Sequence, residues 1–408
     1  MLPTWLTEEY IQGHLRAYCQ DEQLRVLQLW AKPATEKGGN YVGVMTRLYV
    51  DYEDGSGALQ KKSYILKQAC PADASQSKLF QEYDVYNREM DMYELVMPKM
   101  AALLREIGFT EKLTAEAVVV DRERTIMILE DLATLRYVNA DRVQQLDWAH
   151  TKMTIELLAR FHAAALVLNQ RYPELLRNNY SSHFFSRGKK GYEEIFTGLF
   201  KAFLRYVNTQ PSLKERYSEK LEHIAAHLME YAARSVDVGD KDFQTLIHGD
   251  CWTTNVMYQY DDEGSPVTVI PIDFQFSTWT SPVVDLLYLF STSLRAEVRA
   301  KETELVQLHY YALKKNLEKF SYQGVVPSLH EYQLQFERRR FMTVIIANLF
   351  QPIMVYAGTE EPEFLNLYQS TPAGVRFQDS MYACEKVKRI VANILPRMPR
   401  ASWILSEV

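Results

Sequence analysis

The chain has 408 residues, 47% hydrophobic and 24% charged, which is ordinary for a globular protein of two to three domains. Gly 16 and Pro 15 are too few for a collagenous or low-complexity chain. A formal charge of -6 argues against a broad electrostatic grip on nucleic acid or on an anionic membrane surface.

In chain order, the first residues carry Glu8 and Glu9 and no basic region, so they do not read as a secretory signal. Tyr41–Val50 is rich in β-formers, Glu53 to Gly57 supplies a turn, and Lys62–Gln68 reads as a second strand. From Ser77 to about Ile107 the pattern is helical, because Phe80, Tyr83, Tyr86, Met90, Tyr93 and Met97 recur at three- and four-residue steps. Pro98 is expected to kink or divide that helix. Two short strands follow, Ala117–Asp121 and Thr125–Leu129, which completes a β-β-α-β-β unit. The remainder reads as helices over Leu146–Asn169, Gly191–Tyr206, Leu213–Arg234 and from Pro282 onward. One β-rich island interrupts them, with strands at Gln244–His248, Asn255–Gln259 and Val267–Ile272. The expected class is therefore α+β in two lobes, residues 1–132 and 133–408. No apolar run reaches the roughly 18 residues that a membrane span needs. Cys19, Cys70, Cys251 and Cys384 lie far apart with no CxxC, so a reducing, cytoplasmic setting is expected rather than a disulfide framework or a zinc site.

The island holds the sharpest signal, His248-Gly249-Asp250-Cys251-Trp252-Thr253-Thr254-Asn255 followed by Pro271-Ile272-Asp273-Phe274-Gln275. Phosphoryl transfer from ATP needs a carboxylate to take or orient the hydroxyl proton. It also needs an amide oxygen and a second carboxylate to hold Mg²⁺ against the phosphates. Asp250, Asn255 and Asp273 are those three oxygen donors in the required order. Each alone is a common turn residue, but the ordered set is much rarer. Upstream, Lys67 ends the second strand, where it can reach α- and β-phosphate oxygens if a carboxylate holds it. Glu89 on the following helix is the expected partner, with Glu82 and Glu94 as rivals. Lys61 and Lys62, beside the turn, suit a solvated role better than Lys67 does. The small residues of Lys37-Gly38-Gly39-Asn40-Tyr41-Val42-Gly43 let backbone N–H groups approach phosphates, with Gly39 and Asn40 the candidate contacts. No G-K-[ST] follows, so this is not a P-loop. Backbone groups at Glu130 and Leu132 are placed to meet the adenine edge, unless the acids there only cap the next turn.

Four segments together resemble the insect ecdysteroid kinase-like family, part of the aminoglycoside phosphotransferase and choline kinase superfamily. They are Met127 to Leu132, Leu158 to Ala163, His248 to Asn255 and Ile272 to Gln275. The resemblance spans roughly Gly38 to Leu289. Trp252 and Asp285 favour this branch over the choline kinases proper. It implies a bilobal protein-kinase-like fold and ATP-dependent phosphorylation of a hydroxyl on a small molecule. By the same analogy Asp250 is the base, Asn255 and Asp273 bind Mg²⁺, and Lys67 with Glu89 holds the nucleotide phosphates. His248 and Asp285 are implied to be scaffolding, and His162 a core histidine under the catalytic loop. In the glycine loop, Gly39 and Gly43 replace an acid and a small-Ser ending, which implies a more flexible loop.

A protein kinase fits less well. Gly249 stands where regulated protein kinases carry an Arg, Asp273 is followed by Phe-Gln, and Pro282 starts a helix too soon for a long activation segment. The family implies an ecdysteroid or another hydrophobic hydroxylated acceptor, and the expected partners are ATP and that small molecule. Tyr310, Tyr311, Phe336, Phe341, Phe350, Tyr356, Phe364, Tyr368 and Tyr382 offer enough aromatic surface for such a pocket, although plain helix packing explains most of them. The rival from another class is a pseudokinase, an ATP-binding scaffold without turnover.

Overall fold

A computed structural model describes residues 2–34, 43–71, 77–181, 183, 185, 187, 191–358 and 363–397. The chain divides into two compact units, one of Met1–Pro98 with Glu111–Val138, the other of Lys99–Thr110 with Asn139–Val408. Its class is α+β.

The first unit is a five-stranded antiparallel sheet. Its strands are β1 (Arg25–Pro33), β2 (Gly43–Glu53), β3 (Leu59–Ala69), β4 (Ala117–Asp121) and β5 (Ile126–Glu130), in the order β1-β2-β3-β5-β4. The turn between β2 and β3 forms because Asp54 accepts from Ser56, Ala58 and Gln60, and because Gly57 supplies a φ of +82°. Period-two alternation sends Leu48, Val50, Tyr52, Tyr64 and Leu66 to one face. The helix Glu8–Cys19 covers that face through Ile11 and Leu15, both fully buried. This helix and β1 were not among the elements expected from the sequence.

The long helix expected after β3 is broken earlier than its proline. Helices Ser77–Glu82 and Val85–Asp91 meet at Asp84, which adopts a left-handed φ of +52°. A π-helical turn at Met92–Val96 then leads straight into the helix Met97–Glu106, so Pro98 neither ends nor divides the run. A proline lacks its own N–H and crowds the carbonyl four residues back; the wider turn just before it relieves both faults. Lys99–Thr110 belongs to the second unit because its side chains engage the helix Trp148–Arg171 and its end. Arg171 forks onto Glu106 at 2.8 and 2.6 Å, Lys99 sits over Tyr172, and Arg160 covers Phe109. The turn Leu132–Leu135, capped by Asp131, stays with the first unit, beyond the division expected at 132.

In the second unit, helix Val283–Thr292 has all ten of its residues buried. The β-island forms as Thr245–Ile247, Val256–Tyr260 and Pro266–Pro271, the last two paired as a hairpin. A further strand, Thr278–Thr280, runs antiparallel to Thr245–Ile247. The segment expected as one helix over Leu213–Arg234 is two, Pro211–Ala226 and Leu228–Val236. Among the described residues no helix is long and apolar enough to cross a membrane.

The packing of the first helix yields a stability prediction. Leu15→Ala removes a fully buried side chain and is expected to cost about 2–5 kcal/mol. Urea denaturation followed by circular dichroism measures it; a loss below about 0.5 kcal/mol would show that this helix is not part of the core.

Candidate active site

In the first unit, Lys67 lies on β3 between Met45 and Met127 in register, one residue from Leu66 and so on the opposite face. It is 5% exposed, and its Nζ meets Oε1 of Glu89, itself 1% exposed, at 2.6 Å. The rival carboxylate Glu94 instead pairs with Arg122. Lys61, 70% exposed in its side chain, lies near Asp51 at the surface. Glu130 accepts from Lys112 at 2.8 Å, and its N–H donates to Glu116. The carbonyl of Leu132 accepts from Tyr137. These bonds engage one backbone group of each residue, and Asp131 between them caps the following turn and receives Arg47 and Ser63. Gly39 and Asn40 lie outside the described residues. Gly43 is the first residue of β2, where a Cβ would stand 2.5 Å from the carbonyl oxygen of Gln68, so close strand approach already explains that glycine.

In the second unit, Asp250, Asn255 and Asp273 come together around one loop. Asn255 donates through Nδ2 to the backbone and carboxylate oxygens of Asp250, both at 2.9 Å. Its backbone carbonyl accepts from Ile272, which ties the loop to the residue before Asp273. Asp273 takes a left-handed φ of +64°, a conformation Asp tolerates better than most residues. His248 donates from Nε2 to Ile272 at 2.9 Å and accepts the Asp250 N–H at Nδ1. That pattern describes a neutral imidazole, and burial lowers its pKa accordingly.

The loop hangs from Asp285, a fully buried carboxylate on helix Val283–Thr292. Asp285 Oδ2 accepts from the His248 N–H at 2.8 Å, and Oδ1 from the Gly249 N–H at 2.9 Å. Burial raises the pKa of Asp285, but His162, first through its hydrogen bond, then the nearby His248 and last the Gly249 amide outweigh it and keep the carboxyl below its ordinary value. Gly249 needs its φ of +82°, and a Cβ there would lie 2.0 Å from the Phe276 carbonyl oxygen. No larger residue fits this backbone.

Tyr288 was not singled out in the sequence. One helical turn beyond Asp285, it donates its hydroxyl to Asp250 Oδ1 at 2.5 Å. The signal available was the i, i+3 spacing from Asp285, which puts both on the helix face toward the loop. Burial pushes Asp250 up to about 7 against the Tyr288 hydrogen bond, and the charge of Asp273 adds to the rise. The Tyr288 ring lies 6.5 Å from Phe350, which lies 5.3 Å from Phe196. Most other late aromatics pack on helices, as Tyr310 does on Tyr332, Phe336 on Phe290 and Tyr382 on Tyr206.

Asn255 and Asp273 offer hard oxygen donors. With Nδ2 of Asn255 turned to Asp250, Oδ1 is the atom it presents to a cation. Among the described residues no group of three or more His, Cys, Asp or Glu is placed to hold a metal by itself. A two-residue set suits Mg²⁺, which completes its shell with phosphate and water.

A model of the ecdysteroid kinase-like family matches residues 37–322. Among solved structures, an ADP-bound aminoglycoside phosphotransferase is similar at 12% identity and a TM-score of 0.34, over 83% of this chain and 99% of that one. The streptomycin–ATP ternary complex of another aminoglycoside phosphotransferase is similar at 13% identity and 0.34, over 85% and 99%. A macrolide 2'-phosphotransferase apoenzyme from Brachybacterium faecium is similar at 10% identity and 0.34, over 84% and 98%. No curated protein matches significantly.

The buried ion pair of the first unit is testable without a substrate. Glu89→Leu strips Lys67 of this carboxylate and is expected to destabilise by about 3–5 kcal/mol. Lys67→Met combined with Glu89→Leu is expected to return most of that loss. Urea unfolding of the single and double variants measures the coupling, and independent, additive losses would contradict it.

Proposed function

Because the chain belongs to the ecdysteroid kinase-like family, we propose that it phosphorylates a hydroxyl of an ecdysteroid or a similar hydrophobic hydroxylated compound, with ATP as donor and Asp250 as base. The observation that carries this reading is the treatment of Asp250, whose two carboxylate oxygens receive the Tyr288 hydroxyl and the Asn255 amide. A carboxylate oriented at both oxygens keeps one lone-pair direction on each oxygen for an incoming hydroxyl, and burial makes it a stronger base than an exposed Asp.

In the proposed step, the acceptor's O–H bond breaks and its proton passes to the Asp250 carboxylate. The freed oxygen bonds to the γ-phosphorus as the bond to the β–γ bridging oxygen breaks, and ADP leaves with that electron pair. Lys67, kept in place by Glu89, takes the nucleotide phosphates as a fixed cation. Asn255 and Asp273 are the residues that would hold Mg²⁺, which when bound supplies charge neutralisation at the phosphates. Four free thiols agree with a reducing, cytoplasmic location.

The expected results are specific. Asp250→Asn should lower kcat by about 10²–10⁴ with little change in the KM for ATP, measured by ADP release over a panel of ecdysteroids and plant phenolics. Asp273→Ala should weaken the Mg²⁺-dependent thermal shift given by ATP. Wild-type protein that turns over no acceptor but still shows this shift would favour the pseudokinase reading. Absence of both would end the kinase reading altogether.

A further inference from the structure

Asp285 accepts a third hydrogen bond, from His162 Nε2 on helix Trp148–Arg171 at 3.0 Å. Behind His162 stands His309 of helix Glu302–Lys319, with its Nε2 3.0 Å from His162 Nδ1. Behind His309 stands Tyr332 of helix Leu329–Arg338, with its hydroxyl 2.9 Å from His309 Nδ1. Asp285, His162, His309 and Tyr332 all have 0% exposure. The proposed phosphoryl transfer uses none of the last three.

The direction of the chain follows from donor and acceptor counting. If His162 gives its Nε2 proton to Asp285 and is neutral, its Nδ1 is an acceptor and His309 Nε2 must carry a proton. His309 Nδ1 is then an acceptor, and the Tyr332 hydroxyl fills it. Every polar atom is satisfied, and all three protons point toward Asp285. The opposite direction needs a charged His162 and leaves the Tyr332 proton aimed at nothing, because among the described residues that hydroxyl meets only His309. Burial also lowers the pKa of His309 well below its ordinary value, in keeping with a neutral ring.

We propose that Tyr332, His309 and His162 are positioning residues, a one-way hydrogen-bond chain that orients the Asp285 carboxylate on the His248 and Gly249 amides and so places Asp250. For its catalytic consequence the proposal rests on the kinase reading of Asp250; the chain itself does not. Removing the Tyr332 hydroxyl leaves His309 Nδ1 a buried acceptor without its donor, which takes away the polarisation of the Nε2–H and weakens the next bond along.

The test uses the full chain with ¹⁵N-labelled histidine and glycine. Both His162 and His309 are expected as Nε2–H tautomers in long-range ¹H–¹⁵N spectra. Tyr332→Phe should move the His309 Nδ1 resonance and, beyond three helices, the Gly249 amide. His309→Leu should move the same amide further, whereas His309→Gln, which keeps a donor and an acceptor, should restore part of it. In turnover, Tyr332→Phe should lower kcat about tenfold with the KM for ATP unchanged. A doubly protonated His162, an Nδ1–H tautomer of His309, or a Gly249 amide unmoved by Tyr332→Phe would overturn the proposal. Should His309→Leu not fold, Tyr332→Phe decides alone. Wild-type protein without turnover would remove the catalytic consequence given to the chain, while the spectra would still decide the chain itself.

Discussion

The second unit depends on one buried carboxylate. Asp285 is wholly withdrawn from solvent, a state that costs several kcal/mol for an ionised group unless donors surround it. Three donors do so here, the backbone N–H groups of His248 and Gly249 and the His162 imidazole. Because two of them belong to the loop backbone, satisfying the charge and fixing the loop are the same event. The loop in turn accepts a conformation only glycine can enter at position 249. Removing the carboxylate would leave two buried amides without acceptors just before Asp250, so its effect cannot stay local.

Asp250 on the loop and Asp285 on the helix that anchors it are pushed in opposite directions by their surroundings. Burial dominates at Asp250 and raises its pKa to about 7. At Asp285 the hydrogen-bond donors win and the pKa falls. The difference lies in the neighbours: His162 above all, then His248 and the Gly249 amide, hold Asp285 down, whereas Asp250 receives only a tyrosine hydroxyl and a side-chain amide, and Asp273 contributes opposing charge. One carboxylate is thereby suited to permanent ionisation and the other to exchanging a proton. Pairs of acids separated in this way are the usual sign of divided labour between structural and acid–base work.

Lys67 and Glu89 show the same economy in the first unit. A buried ion pair is rarely more stabilising than two apolar side chains of the same volume, because both charges must leave water. Its presence on the face opposite the Leu66 core is therefore poorly explained by stability. What the pair does achieve is to fix one ammonium in place on that face, a cation that needs no reorganisation to meet an anion.

How much of this could be read from sequence follows from the range of each interaction. Period-two and period-3.6 patterns are local, and they found β2, β3, β4, β5 and the long helix Trp148–Arg171 within a few residues. The H-x-D-x-x-x-x-N spacing is also local, so Asp250 and Asn255 were legible as neighbours before any coordinates. The helix Glu8–Cys19 was not, because its apolar positions are few and gain meaning only against the sheet they cover. Pro98 misled for the opposite reason: a strong local rule was answered by a π turn that the rule does not include. His162, His309 and Tyr332 are separated by 147 and 23 positions in sequence and joined only in space. Each is unremarkable on its own helix, and a chain of hydrogen bonds has no spacing to betray it. What the sequence does carry is the polarity of each link: an apolar side chain would suit the surroundings of a buried helix face better, so three polar residues there must satisfy one another or leave the core.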